Sequence, residues 1–229
     1  MGPGQAAQAL RSCLAVGADA AYLISSRSFG GSDTLATSYI LSESIKAVEE
    51  KEGLKFDLIL CGKQATDGDT AQVGPEIAEH LDLPQVTYAL DIIEKDGEIQ
   101  VKREQDAGYD MISTTLPAVV TVVKLPYEPR YPTLKTRMEA KKKEIPVLTE
   151  AEIPAIDLAM CGLKGSPTRV KKTYSPVREK QGVKLSGKDP VQAANEGQAQ
   201  QTENTSMAEN GAPVAADMPR TEKAEAPKY

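Results

Sequence analysis

The chain has 229 residues, 27 basic and 33 acidic, with a formal net charge of -6, three cysteines and a single histidine. That length supports one domain with a sizeable core and some surplus, and the acidic balance supplies no overall positive field for nucleic acid or a membrane surface. Cys13, Cys61 and Cys161 lie far apart and away from His80, so no zinc site, disulfide framework or histidine-based triad is expected.

Gly2-Pro3-Gly4 precedes Ala6, Leu10 and Leu14 at helical spacing, which predicts a helix ending by Gly17. Residues 20–25 (AAYLIS) predict a short strand. Phe29-Gly30-Gly31-Ser32-Asp33 predicts a loop closing on a capping residue, and Leu35, Ala36, Tyr39, Ile40 and Val48 carry an amphipathic helix to the charged run 49–52. Strand, helix, strand, helix implies a parallel sheet. The two glycines permit close backbone approach after a strand end, so this loop is a candidate ligand loop beside its plainer reading as a turn.

Leu58, Ile59, Leu60 and Cys61, in a strand expected over Phe56 to Cys61, form an apolar run without alternation, as expected of a parallel strand covered on both faces, and Gly62 ends it. The loop GKQATDGDT (62–70) then leaves the carboxyl end of that strand. The following helix aims its unpaired N–H groups and positive dipole end at the same spot, which favours an anionic ligand. Its spacing matches neither a Walker loop nor G-x-G-x-x-G, so by pattern alone it is an ordinary polar loop. Asp69 is a candidate helix cap with Gln72 three positions on, while Val73, Ile77 and Leu81 share a face. Pro75 requires that the helix start after Asp69 or bend. Asp67 and Asp69 could also share an oxygen-preferring metal in a nucleotide hydrolase, although solvation and capping account for them more simply.

Residues 83–90 predict a strand begun by Pro84, and residues 92–101 a hairpin turning on Asp96-Gly97. Met111 to Thr115 and Ala118 to Val123 add β-rich runs broken by Leu116-Pro117, so the parallel core carries an antiparallel extension. Pro126, Pro129 and Pro132 make residues 124–134 a protruding loop, and Lys141-Lys142-Lys143 reads as a solvated helix face. Residues 186–229 are rich in Gln, Ala, Glu, Asn, Thr, Pro and Gly, with too few large apolar residues to offset the entropy of ordering, and a disordered tail is expected. No apolar run is long enough to span a membrane and residues 1–5 lack signal-peptide features, so a cytoplasmic location is expected.

The wording of three segments adds to this reading. GKQATDGDTAQVGPEIAEHLDLPQVTYA closely resembles the adenine-nucleotide loop of electron transfer flavoprotein beta (small) subunits. E-P-R-Y-P-T-L (128–134) is similar to that family's recognition loop, and the segment Ser166 to Pro176 resembles the start of its arm around the alpha subunit. The resemblance implies an α/β fold: an amino-terminally truncated, Rossmann-like parallel sheet with an antiparallel hairpin extension. It implies a nucleotide-binding domain over 1–148, an arm contacting the alpha subunit over 149–185, and the tail over 186–229. Family members place an amino-terminal strand, a hairpin and a second strand ahead of the point resembling Met1-Gly2-Pro3-Gly4-Gln5-Ala6. Weak nucleotide binding and marginal stability of the isolated chain are therefore expected.

Functionally, the resemblance implies an electron carrier without acid–base chemistry of its own, redox-active only as a heterodimer with the alpha subunit. D-G-D-T-A-Q-V-G-P is closer to the electron-bifurcating branch, whose beta subunit holds an FAD that accepts electrons from NADH; the alternative is a structural AMP. The residues implied to hold the nucleotide are Gly30, Gly31, Asp33 and Thr34 in the first loop, and Gly62, Lys63, Gln64, Ala65, Asp67, Gly68, Asp69, Thr70, Gln72, Val73 and Gly74 in the second. Leu125, Glu128, Pro129, Arg130 and Tyr131 are implied to dock an acyl-CoA dehydrogenase-like or other flavin dehydrogenase, with Leu125 the nearest match to the family's anchoring leucine.

Overall fold

The computed structural model describes residues 1–66, 68–124 and 127–172. The expected tail and the arm beyond residue 172 lie outside the described residues, as do Asp67, Leu125 and Pro126.

The periodic segments fold as their spacing predicts. Helix α1 is Ala7–Ala15, and α2 is Thr34–Glu52, begun by the Asp33 side chain, which accepts from the Ala36 N–H, and ended by Gly53 at φ 66. A side-chain acceptor at the start and a left-handed glycine at the end satisfy backbone groups that the helix itself leaves unpaired. Helix α3 is Val73–Leu81, α4 is Leu134–Lys142 with a Thr133–Thr136 capping box, and α5 is the short turn Gly162–Gly165. Asp69 does not cap α3: the helix starts four residues later, with Gln72 at the cap position and no side-chain cap. This start puts Pro75 in the first turn, where its missing N–H costs no intrahelical bond.

The strands are β1 (Leu23–Ile24), β2 (Leu58–Gly62), β3 (Gln85–Lys95), β4 (Glu98–Gln105), β5 (Gly108–Thr115), β6 (Ala118–Val122) and β7 (Val147–Leu148). One sheet runs β2-β6-β3-β4-β5; its β2-β6-β3 half is parallel and its β3-β4-β5 half antiparallel. The β3–β4 turn is Asp96-Gly97 with φ 55 and 82, the positive pair that a type I′ turn needs to match strand twist. Two strands expected in sequence, 83–90 and the first arm of the hairpin, are one long strand, β3, kinked where its register shifts near Tyr88.

The first two strands do not share a sheet. β1 pairs in parallel with β7 in a separate two-stranded sheet, and β2 forms an edge whose partner among the described residues is β6. The expectation that β2 is covered on both faces therefore fails: Leu60 is 57% exposed. One core packs Val86, Ala89, Ile99, Val101, Ala118 and Val120 within the five-stranded sheet. A second gathers Ile24, Phe29, Ile40, Val48, Leu148, Ile153 and Cys161 around α2. A small cluster of Leu14, Ala15 and Ala140 joins α1 to α4, where Arg11 also donates to the carbonyls of Ala140, Lys141 and Lys143.

Candidate functional site

β2 delivers its loop at the carboxyl end of the parallel strands, and the α2 amino terminus meets it there. Between them is a cavity of about 670 Å³, lined by residues of both sequence-predicted loops, a size within the range of small-molecule and cofactor sites. From the first loop it takes Asp33 and Thr34; from the second, Gly62, Lys63, Gln64, Ala65, Gly68, Thr70, Gln72, Val73 and Gly74. Gly30, Gly31 and Asp69 are not part of its lining. The close approach at Gly31 is made by a neighbouring side chain: at φ 78, an added Cβ would sit 2.7 Å from Leu163. Sequence reading missed Met1, Thr37, Leu41, Cys61, Ala71 and Ile77, while Ser32 belongs to the first candidate loop. Leu41 and Ile77 belong to the apolar faces of α2 and α3, a pattern that looks the same whether it faces a core or a cavity.

At the lip of the cavity, two helix starts present backbone donors beside the charged Asp33 carboxylate. The first-turn N–H groups of Val73 and Gly74 have no partner within α3, and those of Thr34 and Leu35 none within α2. Thr34 Oγ1 donates to Gln72 Oε1 at 3.1 Å, tying the two helix starts together. Ala71, at φ 54, turns the loop sharply into α3 in a conformation that non-glycine residues rarely adopt. The Lys63 ammonium stands 4.9 Å from the Tyr88 ring centroid and 3.8 Å from Glu104 Oε2. Both ion-pair partners are solvent-exposed, so the pair positions Lys63 with little effect on stability. Deeper in, burial pushes the Cys61 thiol pKa up, keeping it a neutral wall group.

Two glycines test whether the residues fit a phosphate-bearing ligand. A Cβ at Gly62 or Gly68 would meet nothing within 4 Å, so both leave open space beside the backbone that a ligand can approach. Gly74 is different. A Cβ there would lie 2.4 Å from Thr121 Cγ2, so this glycine lets the α3 start pack directly on β6.

Asp33 is bonded on two sides. Oδ1 accepts from the Ala36 N–H at 3.1 Å, and Oδ2 accepts from both the N–H and the hydroxyl of Thr168, at 2.9 and 2.8 Å. Burial acts to raise its pKa, but the bonds from Ala36 and Thr168 outweigh that and hold the carboxyl below the usual range. Its own N–H donates to Ser166 Oγ at 2.8 Å, and Ser32 Oγ accepts from the Gly162 N–H at 3.0 Å.

The expected docking residues lie elsewhere. Glu128, Pro129, Arg130 and Tyr131 are exposed, Tyr131 by 74%, and none lines the cavity. The loop is braced where the Tyr127 hydroxyl donates to Asp91 Oδ1 at 2.7 Å. Among the described residues, no three of His, Cys, Asp and Glu are placed to hold a metal ion, and no helix is long and apolar enough to cross a membrane.

Residues 1–153 match the electron transfer flavoprotein domain. The chain is 49% identical to the electron transfer flavoprotein subunit beta of Megasphaera elsdenii, over 85% of this chain and 72% of that protein. It is 44% identical to the caffeyl-CoA reductase-Etf complex subunit CarD of Acetobacterium woodii, over 82% and 69%. It is 45% identical to protein FixA of Azotobacter vinelandii, over 77% of this chain and 63% of that one.

Proposed function

Because the chain belongs to the electron transfer flavoprotein family, among its beta subunits, we propose that it carries electrons between dehydrogenases as a heterodimer with the alpha subunit, holding an FAD in the cavity between its two loops. The observation that carries this reading is the meeting of loops 32–34 and 62–74 around one cavity, with the starts of α2 and α3 in its lining. Two helix starts with free N–H groups, the Lys63 charge and the open backbone at Gly62 and Gly68 suit a pyrophosphate. Leu41, Val73 and Ile77 supply apolar wall for the flat parts of the nucleotide.

When bound, FAD supplies the redox chemistry, accepting electrons from NADH. The chain's own groups bind and orient. N–H groups of the loop and helix starts hold the phosphates, the Thr70 hydroxyl adds a donor, and the neutral Cys61 thiol places no charge against the ligand. The exposed loop around Tyr131, outside the cavity, docks the partner dehydrogenase. The Acetobacterium woodii relative is named for a caffeyl-CoA reductase complex, which supports an acyl-CoA dehydrogenase-like partner. The same phosphate cradle also suits AMP, which would make this a structural, non-redox subunit.

Extraction of the nucleotides from the purified heterodimer decides between them. Two FAD per heterodimer is the expected result; one FAD and one AMP would establish the structural reading. Gly68→Leu, whose side chain enters open space in the cavity lining, should lower nucleotide content several-fold in a protein that still folds. Unchanged content in a folded variant overturns the assignment of this loop.

A further inference from the structure

Segment 157–168 is held against α2 and its preceding loop by six long-range hydrogen bonds: the Asp157 N–H to Tyr39 Oη, the Gly162 N–H to Ser32, the Asp33 N–H to Ser166, the Ser166 hydroxyl to the Gly31 carbonyl, and two from Thr168 to Asp33. Glycine is required at this contact: Gly162 sits at φ 61, and a Cβ there would lie 2.4 Å from the Ser28 carbonyl oxygen. Ser32 and Asp33 also line the cavity, whereas Ser166 and Thr168 do not. The cavity and the segment therefore meet the same two residues. We propose that Asp33 is a positioning residue: by gripping Thr168 it couples nucleotide occupancy of the cavity to the docking of segment 162–168, which lies within the stretch 149–185 expected to contact the alpha subunit.

The coupling is thermodynamic. A docked segment orders loop 29–34 in advance, so a nucleotide binding the ordered loop loses less conformational entropy. By reciprocity, the nucleotide must tighten the docked segment by the same factor. The inference rests on the nucleotide reading above.

The test uses the full chain in complex with the alpha subunit, stripped of nucleotide and titrated with FAD and, separately, AMP. Thr168→Val removes one of the two bonds to Asp33 Oδ2 without touching the cavity. Asp33→Asn keeps an oxygen to cap α2 but loses the acceptor for Thr168. Thr168→Val should weaken the nucleotide about fivefold or more, the low end of typical coupling, and Thr168→Ser should restore it. Asp33→Asn combined with Thr168→Val should be no weaker than the weaker single variant. In the wild type, nucleotide should slow amide exchange at Thr168 by the factor that the substitutions remove from affinity. Full affinity in Thr168→Val overturns the coupling and leaves the nucleotide reading intact. Additive losses overturn it by placing Asp33 directly on the ligand. A wild type that binds neither nucleotide overturns the reading itself and the coupling with it. Should Asp33→Asn fail to fold, Thr168→Val and its serine rescue decide alone.

Discussion

Asp33 shows how one carboxylate can serve two structures at once. Oδ1 caps α2 through the Ala36 N–H, and Oδ2 receives both Thr168 donors, so each oxygen has a separate task. These bonds favour the charged form and hold the pKa below its ordinary value against the upward pull of burial. The linkage has a definite sign. A group whose folded pKa is depressed contributes stability above its unfolded pKa, about 3.9 for Asp, and loses it as pH falls through the lower folded value. The stability difference between wild type and Asp33→Asn should therefore be constant near neutrality and shrink from about pH 4 downward. Urea titrations of both proteins across that range check it. A difference that is flat down to about pH 2 would mean that the charge contributes nothing.

Among the elements, α3 is placed by what it lacks. Gly74 lies buried in its first turn, against Thr121 of β6. The Thr121 side chain has little freedom to move aside, because its Oγ1 accepts from the Tyr88 N–H at 3.0 Å. Gly74→Ala gains up to about 1 kcal/mol of helix propensity, but it forces a methyl into a contact where overpacking costs about 1–3 kcal/mol. The overpacking term wins, and the substitution should lower stability and shift the α3 start away from the cavity. A lower denaturant midpoint with reduced nucleotide affinity is the expected outcome; a midpoint equal to or above wild type would show that Thr121 rotates freely.

Across the whole molecule, the cavity and the protruding loop are separate surfaces, and that separation is testable. Tyr131 is 74% exposed and absent from the cavity lining, so Tyr131→Ala should leave both stability and nucleotide content unchanged. Its expected effect is a several-fold slower electron delivery to the partner dehydrogenase, measured in a coupled assay with the heterodimer. Equal loss of nucleotide in the variant would merge the two surfaces and overturn the docking role of the loop.

What the sequence determined by itself is local. The helical faces, the Asp96-Gly97 turn, the Asp33 cap and the glycine-bearing loop after β2 are all legible within about ten residues, because each depends on backbone conformation and near neighbours. Asp69 looked like a cap for the same local reason, and it lost that place because the chain reaches α3 through the left-handed turn at Ala71. Only the tertiary structure decided which strands meet. Leu23 pairs with Val147, while Leu60 is left at an exposed edge, and no periodicity within a strand specifies its neighbour. The same holds for the site: Leu41 and Ile77 carry ordinary core patterns, yet they line the cavity where the starts of α2 and α3 meet the loop after β2. Thr168 reaches Asp33 across 135 residues of chain. A bond of that span is set by the packing of the segment on α2, and packing between distant segments leaves no mark in the spacing of either one.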